Sequence, residues 1–285
     1  MSAVSAMGAV ERWGEALRSW AIPEDILRAA PESPWTYPVQ VFRGRAEAAT
    51  AGPAAGATGS PSSSPSARRA LDALPEGGSV VDVGSGSGAA SLALVPRVAF
   101  ITAVDPMEDM LASFAELATA TGVGFAAVRG AWPDAAAEVD PADVVLCAHV
   151  LYNAQDLRPF VDAMTERARA RVVVEVTREH PRAWMNDLWK RFWDLERPDH
   201  PTADDLEEAL RELGLDPGRD DWILPRLGHE SREASVATAR RRLCLMPDRD
   251  AEVAEALGDR LWQSGGRWGI GPPEQRAVTL WWDPA

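Results

Sequence analysis

The glycine-rich segment Val80–Leu94 constrains the fold of this chain more than any other feature. Its sequence is VVDVGSGSGAASLAL. An apolar run ends there in three glycines separated by serines, and a second small apolar segment follows. Such a pattern is typical of a buried parallel strand that turns tightly into a helix around a nucleotide-like ligand. The stretch therefore predicts a parallel sheet with a ligand at the carboxyl end of its first strand.

The chain after this stretch alternates between two kinds of segment. Runs rich in valine and isoleucine, each a predicted strand, are separated by helical patterns, which favours a sheet covered by helices on both faces. The first five predicted strands are SVVDVG, FITAVD, FAAVRG, DVVLCAH and RVVVEVT, and GAASLALV is the predicted helix after the first. The predicted fold is therefore α/β, a Rossmann-like doubly wound sheet, and AVTLWWD is predicted as its last strand.

Composition divides the chain into three parts. Residues 50–66 hold only Ala, Gly, Ser, Thr and Pro, so we expect a flexible linker there. The linker separates an N-terminal helical cap, residues 1–49, from the main domain, residues 67–285, and the cap is too small to have its own core. Within the main domain an aromatic-rich insert at 178–202 is predicted either to cover a small ligand or to pack in the core.

Charge and cysteine content narrow the class of protein. The net charge is −14, which argues against a basic surface for nucleic acid. Cys147 and Cys244 have no metal-like spacing, which favours a reducing, cytoplasmic environment over a disulfide framework. No apolar stretch is long enough to span a membrane, and no signal peptide is evident, so we expect no membrane partner.

The residues that follow the strands indicate the ligand site, because open parallel sheets bind ligands beyond the carboxyl ends of their strands. Gly84, Ser85, Gly86 and Gly88 follow the first strand. Asp105 follows the second strand, 21 residues beyond Gly84. A carboxylate at that position can accept hydrogen bonds from both hydroxyls of a ribose, which indicates a ligand that contains adenosine.

The glycines alone leave two ligands open. Gly84, Gly86 and Ala89 fit the dinucleotide pattern G-x-G-x-x-A, whereas Gly88 completes the different pattern G-x-G-x-G. Asp82 separates the two, because a carboxylate that points into the crevice repels a pyrophosphate and attracts a cationic group. S-adenosylmethionine carries an ammonium and a sulfonium and no phosphate, so Asp82 favours it over NAD.

Three motifs in this order resemble those of class I S-adenosylmethionine-dependent methyltransferases. VVDVGSGSG resembles their first motif, AVDPMEDML their second, and ADVVLCAHVLYN the segment around their fourth strand. The resemblance implies a seven-stranded sheet in which AVTLWWD is antiparallel and lies between strands five and six. It also implies S-adenosylmethionine as cofactor and S-adenosylhomocysteine as product, with Asp105 at the ribose and Pro106 and Met107 beside the adenine.

The chain departs from the family after the third strand, where many members have an acidic residue for the adenine amino group. The segment there is Arg129–Asp134, RGAWPD. We expect the backbone of Ala131 and Trp132, together with stacking on the Trp132 ring, to substitute for the missing carboxylate.

Five residues are candidates for the acceptor side of the site. His149 follows the fourth strand and is the best-placed general base and cofactor neighbour, although packing against the methionine arm of the cofactor is an alternative. Glu175 interrupts an apolar fifth strand, so it is predicted to take part in catalysis and bind the acceptor, or to pair with a neighbour. Trp35, Tyr37 and Tyr152 are predicted to line the acceptor pocket, and the first two have a purely structural alternative.

The predicted function is the transfer of a methyl group from S-adenosylmethionine to an acceptor, with no metal ion. The acidic charge and the aromatic insert favour a small-molecule acceptor over nucleic acid. Two alternatives stay open: a non-catalytic S-adenosylmethionine-binding protein and an NAD-dependent oxidoreductase. The oxidoreductase is disfavoured by Asp82 and by the absence of a Tyr-x-x-x-Lys pair.

Overall fold

The centre of the molecule is a seven-stranded sheet. The computed structural model describes residues 7–35, 39–50, 64–224 and 228–285. Its strands are β1 (Gly78–Val83), β2 (Val98–Asp105), β3 (Gly124–Arg129), β4 (Ala142–Ala148), β5 (Ala168–Thr177), β6 (Gly218–Leu224), β7 (Leu261–Ser264), β8 (Arg267–Ile270) and β9 (Gln275–Trp282). The order across the sheet is β3-β2-β1-β4-β5-β9-β6, and β7 and β8 form a separate hairpin. All sheet pairings are parallel except those that β9 makes with β5 and β6. The predicted sheet, with its antiparallel last strand between the fifth and sixth, is confirmed.

Helices cover both faces of the sheet. They are α1 (Ala9–Ser19), α2 (Glu24–Ala29), α3 (Val39–Thr50), α4 (Pro65–Ala73), α5 (Glu108–Thr121), α6 (Leu157–Arg167), α7 (Asn186–Trp193), α8 (Ala203–Glu212), α9 (Arg232–Arg242) and α10 (Asp250–Leu257). Because side chains alternate along a strand, Val81 packs in a core with α1, α6 and α8, while its neighbour Val80 packs in another with α3, α4 and α5. No helix of the described residues has the length and apolar character needed to cross a membrane.

A third core lies outside the sheet and contains the aromatic-rich insert. It joins α2, α7, α9 and α10 to the β7–β8 hairpin. Trp189 is 2% exposed in this core, and Trp184, Phe192 and Trp193 pack against it. Of the two predictions for the insert, core packing is therefore the one that describes these residues. The core includes Ile22 and Ile26 of the N-terminal segment.

The helix predicted over GAASLALV is wrong. The segment forms turns and a short 3-10 helix, Leu92–Leu94, in place of an α-helix. Val95 ends it in an extended conformation, with φ −69° and ψ 136°. The cause is Pro96, because a residue before proline is pushed out of the helical region and proline itself cannot continue a helix. Too few residues remain between the glycines and Pro96 for a longer helix.

The ends of the predicted linker belong to regular structure. Thr50 is the last residue of α3. Ser64 is the N-cap of α4 and accepts a hydrogen bond from the backbone N–H of Ala67, and Ser66 is a buried residue of the first turn. The rest of the predicted linker, residues 51–63, lies outside the described residues. The division into cap, linker and main domain stays a prediction. Because α4 begins at Pro65, the boundary between linker and main domain lies a few residues closer to the N-terminus than predicted.

Candidate active site

The glycine loop after β1 has a backbone that other residues cannot easily adopt. Gly84, Gly86 and Gly88 all have positive φ angles, of 67°, 52° and 87°. A Cβ atom on Gly84 would lie 2.4 Å from the side chain of Val150, and one on Gly88 would lie 2.5 Å from the ring of Phe114. The loop therefore combines left-handed conformation with tight packing, which only glycine satisfies at these two positions.

Asp105, at the end of β2, holds the glycine loop through the backbone. One carboxylate oxygen accepts a hydrogen bond from the N–H of Gly86 and the other from the N–H of Met107, both at 2.9 Å. The residue is 8% exposed, and this burial raises its pKa against the opposing effect of the two N–H groups. Each oxygen keeps a second acceptor site. Exposed Pro106 and Met107 lie beside it, so the residues present fit a ribose and an adjoining flat base.

Asp82 is buried and is not open to the crevice. It is 1% exposed and accepts a hydrogen bond of 2.5 Å from the hydroxyl of Ser91. Burial raises its pKa to about 6, although the Ser91 hydrogen bond acts in the opposite direction. The argument that Asp82 points at a cationic ligand therefore has no support in this conformation. Its observed role is to tie the end of β1 to the segment that follows the glycines.

The structure places Trp132 in the main core and not at the crevice. Its ring is 9% exposed, and its indole N–H donates to the backbone carbonyl of Phe160 in α6 at 3.1 Å. An indole buried in this way cannot stack on an adenine, so that prediction is not supported. Ala131 is exposed next to it, and its backbone remains a candidate for contact with the base. Ser85 is buried in the glycine loop and contributes its backbone N–H to a bond with Val104.

His149 and Glu175 meet at the carboxyl ends of β4 and β5. The imidazole Nε2 lies 3.0 Å from one carboxylate oxygen of Glu175, and the backbone N–H of His149 donates to the carbonyl of Glu175 at 2.8 Å. His149 has a positive φ of 61°, an unusual conformation for a residue with a side chain. An ionised carboxylate only accepts, so Nε2 carries the proton. Among the described residues none hydrogen-bonds to Nδ1, which leaves this nitrogen able to accept a proton.

Glu175 is ionised despite its burial. Burial alone raises its pKa, but the hydrogen bond of His149, the charge that His149 carries when it is protonated, the hydroxyl of Ser66 and the charge of Arg45 together lower it below the ordinary value. The Ser66 hydroxyl donates to the carboxylate oxygen that His149 leaves open. Sequence analysis missed Ser66 because it lies in a stretch with no apolar residue larger than alanine to indicate a packed helix. The dipeptide Ser64-Pro65, an N-cap followed by a first-turn proline, was the signal that a helix starts there.

Tyr152 lies beside the dyad with its hydroxyl already hydrogen-bonded. The hydroxyl is 2.6 Å from the side-chain oxygen of Thr177 and accepts from the Thr177 backbone N–H. Burial raises the pKa of Tyr152, and its ring meets that of His180 edge to face at 5.4 Å. His180 in turn stacks on Trp20 at 3.6 Å, and burial lowers its pKa to about 3, so it is neutral. Tyr152 can therefore form a wall of an acceptor pocket. Its hydroxyl is not free to donate a proton, because it is already hydrogen-bonded to Thr177.

The N-terminal segment reaches the site through α3. Trp35 is 49% exposed and lies under the guanidinium of Arg182 at 4.0 Å, whereas Tyr37 lies outside the described residues. The ring of Phe42, in α3, covers the glycine loop, because a Cβ on Gly86 would lie 3.2 Å from it. No sequence motif marked Phe42, since a single aromatic residue in a short helix is as consistent with a place in the core as with a place in a ligand site.

Comparison with known proteins shows the family to which the chain belongs. A family model described as a methyltransferase domain matches residues 64–217, more than half of the chain. The chain therefore belongs to the class I methyltransferase family, as its three motifs predicted. A comparison with curated proteins gave no match.

Solved structures share the fold at low sequence identity. The YcgJ protein of Bacillus subtilis is 16% identical with a TM-score of 0.52, over 76% of this chain and 97% of that chain. Magnesium protoporphyrin IX methyltransferase of Synechocystis, solved with bound SAH, is 13% identical with a TM-score of 0.46, over 90% of this chain and 93% of that chain. At this level of identity the likeness to YcgJ shows the fold alone.

Proposed function

We propose that this chain transfers a methyl group from S-adenosylmethionine to a small-molecule acceptor, with His149 as the base that takes a proton from the acceptor. The observation that supports the cofactor best is Asp105, whose two oxygens fix Gly86 and Met107 and still offer acceptor sites. S-adenosylmethionine, when bound, supplies a methyl group on a positively charged sulfur, which a nucleophile can displace in line.

The glycine loop and Asp105 would hold the adenosine part of the cofactor. The loop brings backbone N–H groups close to the ligand without side chains in the way, and Asp105 would accept from the ribose hydroxyls. Exposed Pro106 and Met107 would flank the adenine, and the backbone of Ala131 would face its edge. Positioning of this kind supplies much of the rate of a displacement reaction, because it replaces a bimolecular encounter by a fixed geometry.

His149 would act on the acceptor through Nδ1. Glu175 holds the opposite nitrogen, so the neutral imidazole is in the tautomer that can accept a proton at the open face. The ionised carboxylate would also stabilise the imidazolium that forms. General base catalysis of this type contributes roughly 100- to 10,000-fold. The dyad favours an enzyme over a non-catalytic binding protein, since binding alone needs no oriented base.

Calorimetric titration with S-adenosylmethionine, S-adenosylhomocysteine and NAD tests the cofactor. We expect the first two to bind and NAD not to bind. Asp105→Ala should weaken S-adenosylmethionine binding by about 1.5–3 kcal/mol, because charge-assisted hydrogen bonds to the ribose are lost. The matched control is Asp109→Ala, which removes an exposed carboxylate four residues further on and should leave the affinity unchanged.

Two results would contradict the proposal. NAD binding without any response to the other two ligands would replace the methyltransferase by an oxidoreductase. Equal affinities for the wild type and Asp105→Ala would remove this carboxylate from the cofactor site. A third variant, Asp105→Asn, keeps the shape of the side chain and one acceptor oxygen, so it removes the charge and one of the two loop bonds and should weaken binding less than Asp105→Ala.

A further inference from the structure

Behind the His149–Glu175 dyad lies a line of partly buried hydrogen bonds. Ser66, at 8% exposure, donates to Glu175 and lies 2.7 Å from the hydroxyl of Thr279, which is fully buried. The indole N–H of Trp222 reaches the same Thr279 oxygen at 3.1 Å. Thr279 is the direct cross-strand partner of Glu175 in the β5–β9 pair. Three strands and the start of α4 therefore contribute to one polar line.

The direction of every hydrogen bond in this line follows from chemistry. An indole N–H can only donate and an ionised carboxylate can only accept. Trp222 therefore donates to Thr279, the Thr279 hydroxyl donates to Ser66, and the Ser66 hydroxyl donates to Glu175. The carboxylate has one oxygen held by Ser66 and the other by His149. No hydroxyl in the line has a second arrangement that satisfies both of its ends.

We propose that Ser66 is a positioning residue, which fixes the Glu175 carboxylate so that His149 keeps its proton on Nε2. A role of Ser66 in catalysis rests on the proposed function. Its hydrogen bond to the Glu175 carboxylate is present in the chain without any ligand. A carboxylate bound through one oxygen can rotate about its terminal torsion, whereas one bound through both oxygens cannot. The charge of Arg45 also acts on Glu175 and favours its ionised form.

The tautomer of His149 tests this proposal without knowledge of the acceptor. The 285-residue chain is labelled with ¹⁵N-histidine, and its four histidines are observed by NMR at a pH where the imidazole is neutral. His149→Gln identifies the signal of interest. We expect wild-type His149 to be mainly the Nε2–H tautomer. Ser66→Ala should lower the ratio of Nε2–H to Nδ1–H by about fivefold, because one hydrogen bond that orients its partner is lost.

Three further variants separate positioning from general damage. Ser64→Ala removes the hydroxyl that caps the same helix but does not touch Glu175, so it should lower the melting temperature and leave the tautomer ratio unchanged. Ser66→Thr restores a hydroxyl and should restore the ratio. Thr279→Val keeps the volume of the side chain, leaves α4 intact and should shift the ratio in the same direction as Ser66→Ala, but less.

The outcomes are distinct. An unchanged ratio in Ser66→Ala, or an equal change in Ser64→Ala, overturns the proposal. If Ser66→Ala does not fold, Thr279→Val decides, and an unchanged ratio there overturns the proposal as well. Failure of S-adenosylmethionine to bind in calorimetry would refute the proposed function but not a tautomer shift, so the two failures are distinguishable.

Discussion

The two halves of the candidate site are built by different means. In the cofactor half, Asp105 bonds to backbone groups 19 and 2 residues away in the sequence, those of Gly86 and Met107. In the acceptor half, Glu175 depends on Ser66, from which it is separated by 109 residues, and Ser66 depends on Thr279, from which it is separated by 213 residues. The first half is local and uses the backbone, whereas the second is assembled from side chains of distant segments.

This difference teaches how one fold can accept many substrates. A loop fixed by backbone bonds and glycine packing tolerates changes elsewhere, because few distant side chains take part in it. An oriented base that depends on three separate segments changes whenever one of those segments changes. We therefore expect the cofactor half to be most sensitive to substitutions that change the backbone conformation. The acceptor half should be most sensitive to substitutions that remove a single hydrogen-bonding atom.

The largest effect is expected from Gly84→Ala, which tests the backbone character of the cofactor half. Alanine at φ 67° costs about 1–2 kcal/mol in conformation. Its Cβ would lie 2.4 Å from Val150, which adds about 1–3 kcal/mol of overpacking. We expect urea denaturation to show a loss of about 2–5 kcal/mol in the free energy of unfolding.

Gly122→Ala is the matched control for this loss. Gly122 has a similar φ of 75°, and a Cβ there would have no heavy atom within 4 Å. The control should show the conformational part only. Equal losses for the two variants would mean that packing against Val150 contributes nothing, and the contrast between backbone and side-chain construction would fail.

A smaller effect sharpens the comparison, because the buried carboxylates of the two halves have opposite pKa shifts. The folded pKa of Asp82 is raised from 3.8 to about 6, so the folded state binds more protons than the unfolded state between these pH values. Its stabilising effect is therefore present below the lower value and is lost as the pH rises through the upper one. Relative to Asp82→Asn, the wild type should lose on the order of 2 kcal/mol between pH 4 and pH 7.

Glu175 should show the opposite slope in a more acidic range. Its folded pKa is lowered from 4.5, so its contribution is present above the unfolded pKa and is lost as the pH falls through the folded one. Urea denaturation of the wild type, Asp82→Asn and Glu175→Gln over this range measures both slopes. Slopes of the same sign would show that burial acts alike on both carboxylates and that the His149 and Ser66 bonds do not offset it.

The smallest effect tests whether the cofactor half is local throughout. Phe42 comes from the N-terminal segment and covers Gly86, so it is a distant contribution to a local site. Phe42→Ala should weaken S-adenosylmethionine binding by about 1 kcal/mol, the size of an aromatic contact. Trp35→Ala, in the same segment and 49% exposed, should leave the calorimetric affinity unchanged. If Trp35→Ala has the larger effect, the aromatic residues named from the sequence are the relevant ones after all.

Sequence reasoning predicted the local features well. Alternating apolar strands, the glycine loop and Asp105 depend on short-range patterns, and the sheet they predict is the one observed. It failed where a single residue changes a local rule. Pro96 shortens the expected helix to Leu92–Leu94, and nothing in the pattern of GAASLALV itself shows this.

The remaining errors concern the direction of side chains. Trp132 follows a strand at the expected place, but its ring turns into the core and bonds to Phe160, a residue that no local pattern connects to it. Ser66 is one of many small residues in its stretch, and only the fold brings it to Glu175. His149 was found as a candidate because it follows the fourth strand and Glu175 because it interrupts an apolar strand, yet their contact needed the register of β4 and β5.

The start of α4 has a consequence for where this protein can be cut. A chain shortened to begin at Ala67 would retain the glycine loop, Asp105, His149 and Glu175. It would nevertheless lose the Ser64 cap and the Ser66 hydroxyl together, and so weaken a helix and release a buried carboxylate in one step. Limited proteolysis that removes residues up to this point would also take α1 and α3 out of the two cores of the sheet, so the fragment is expected to lose stability as well as the hydrogen bond that holds Glu175.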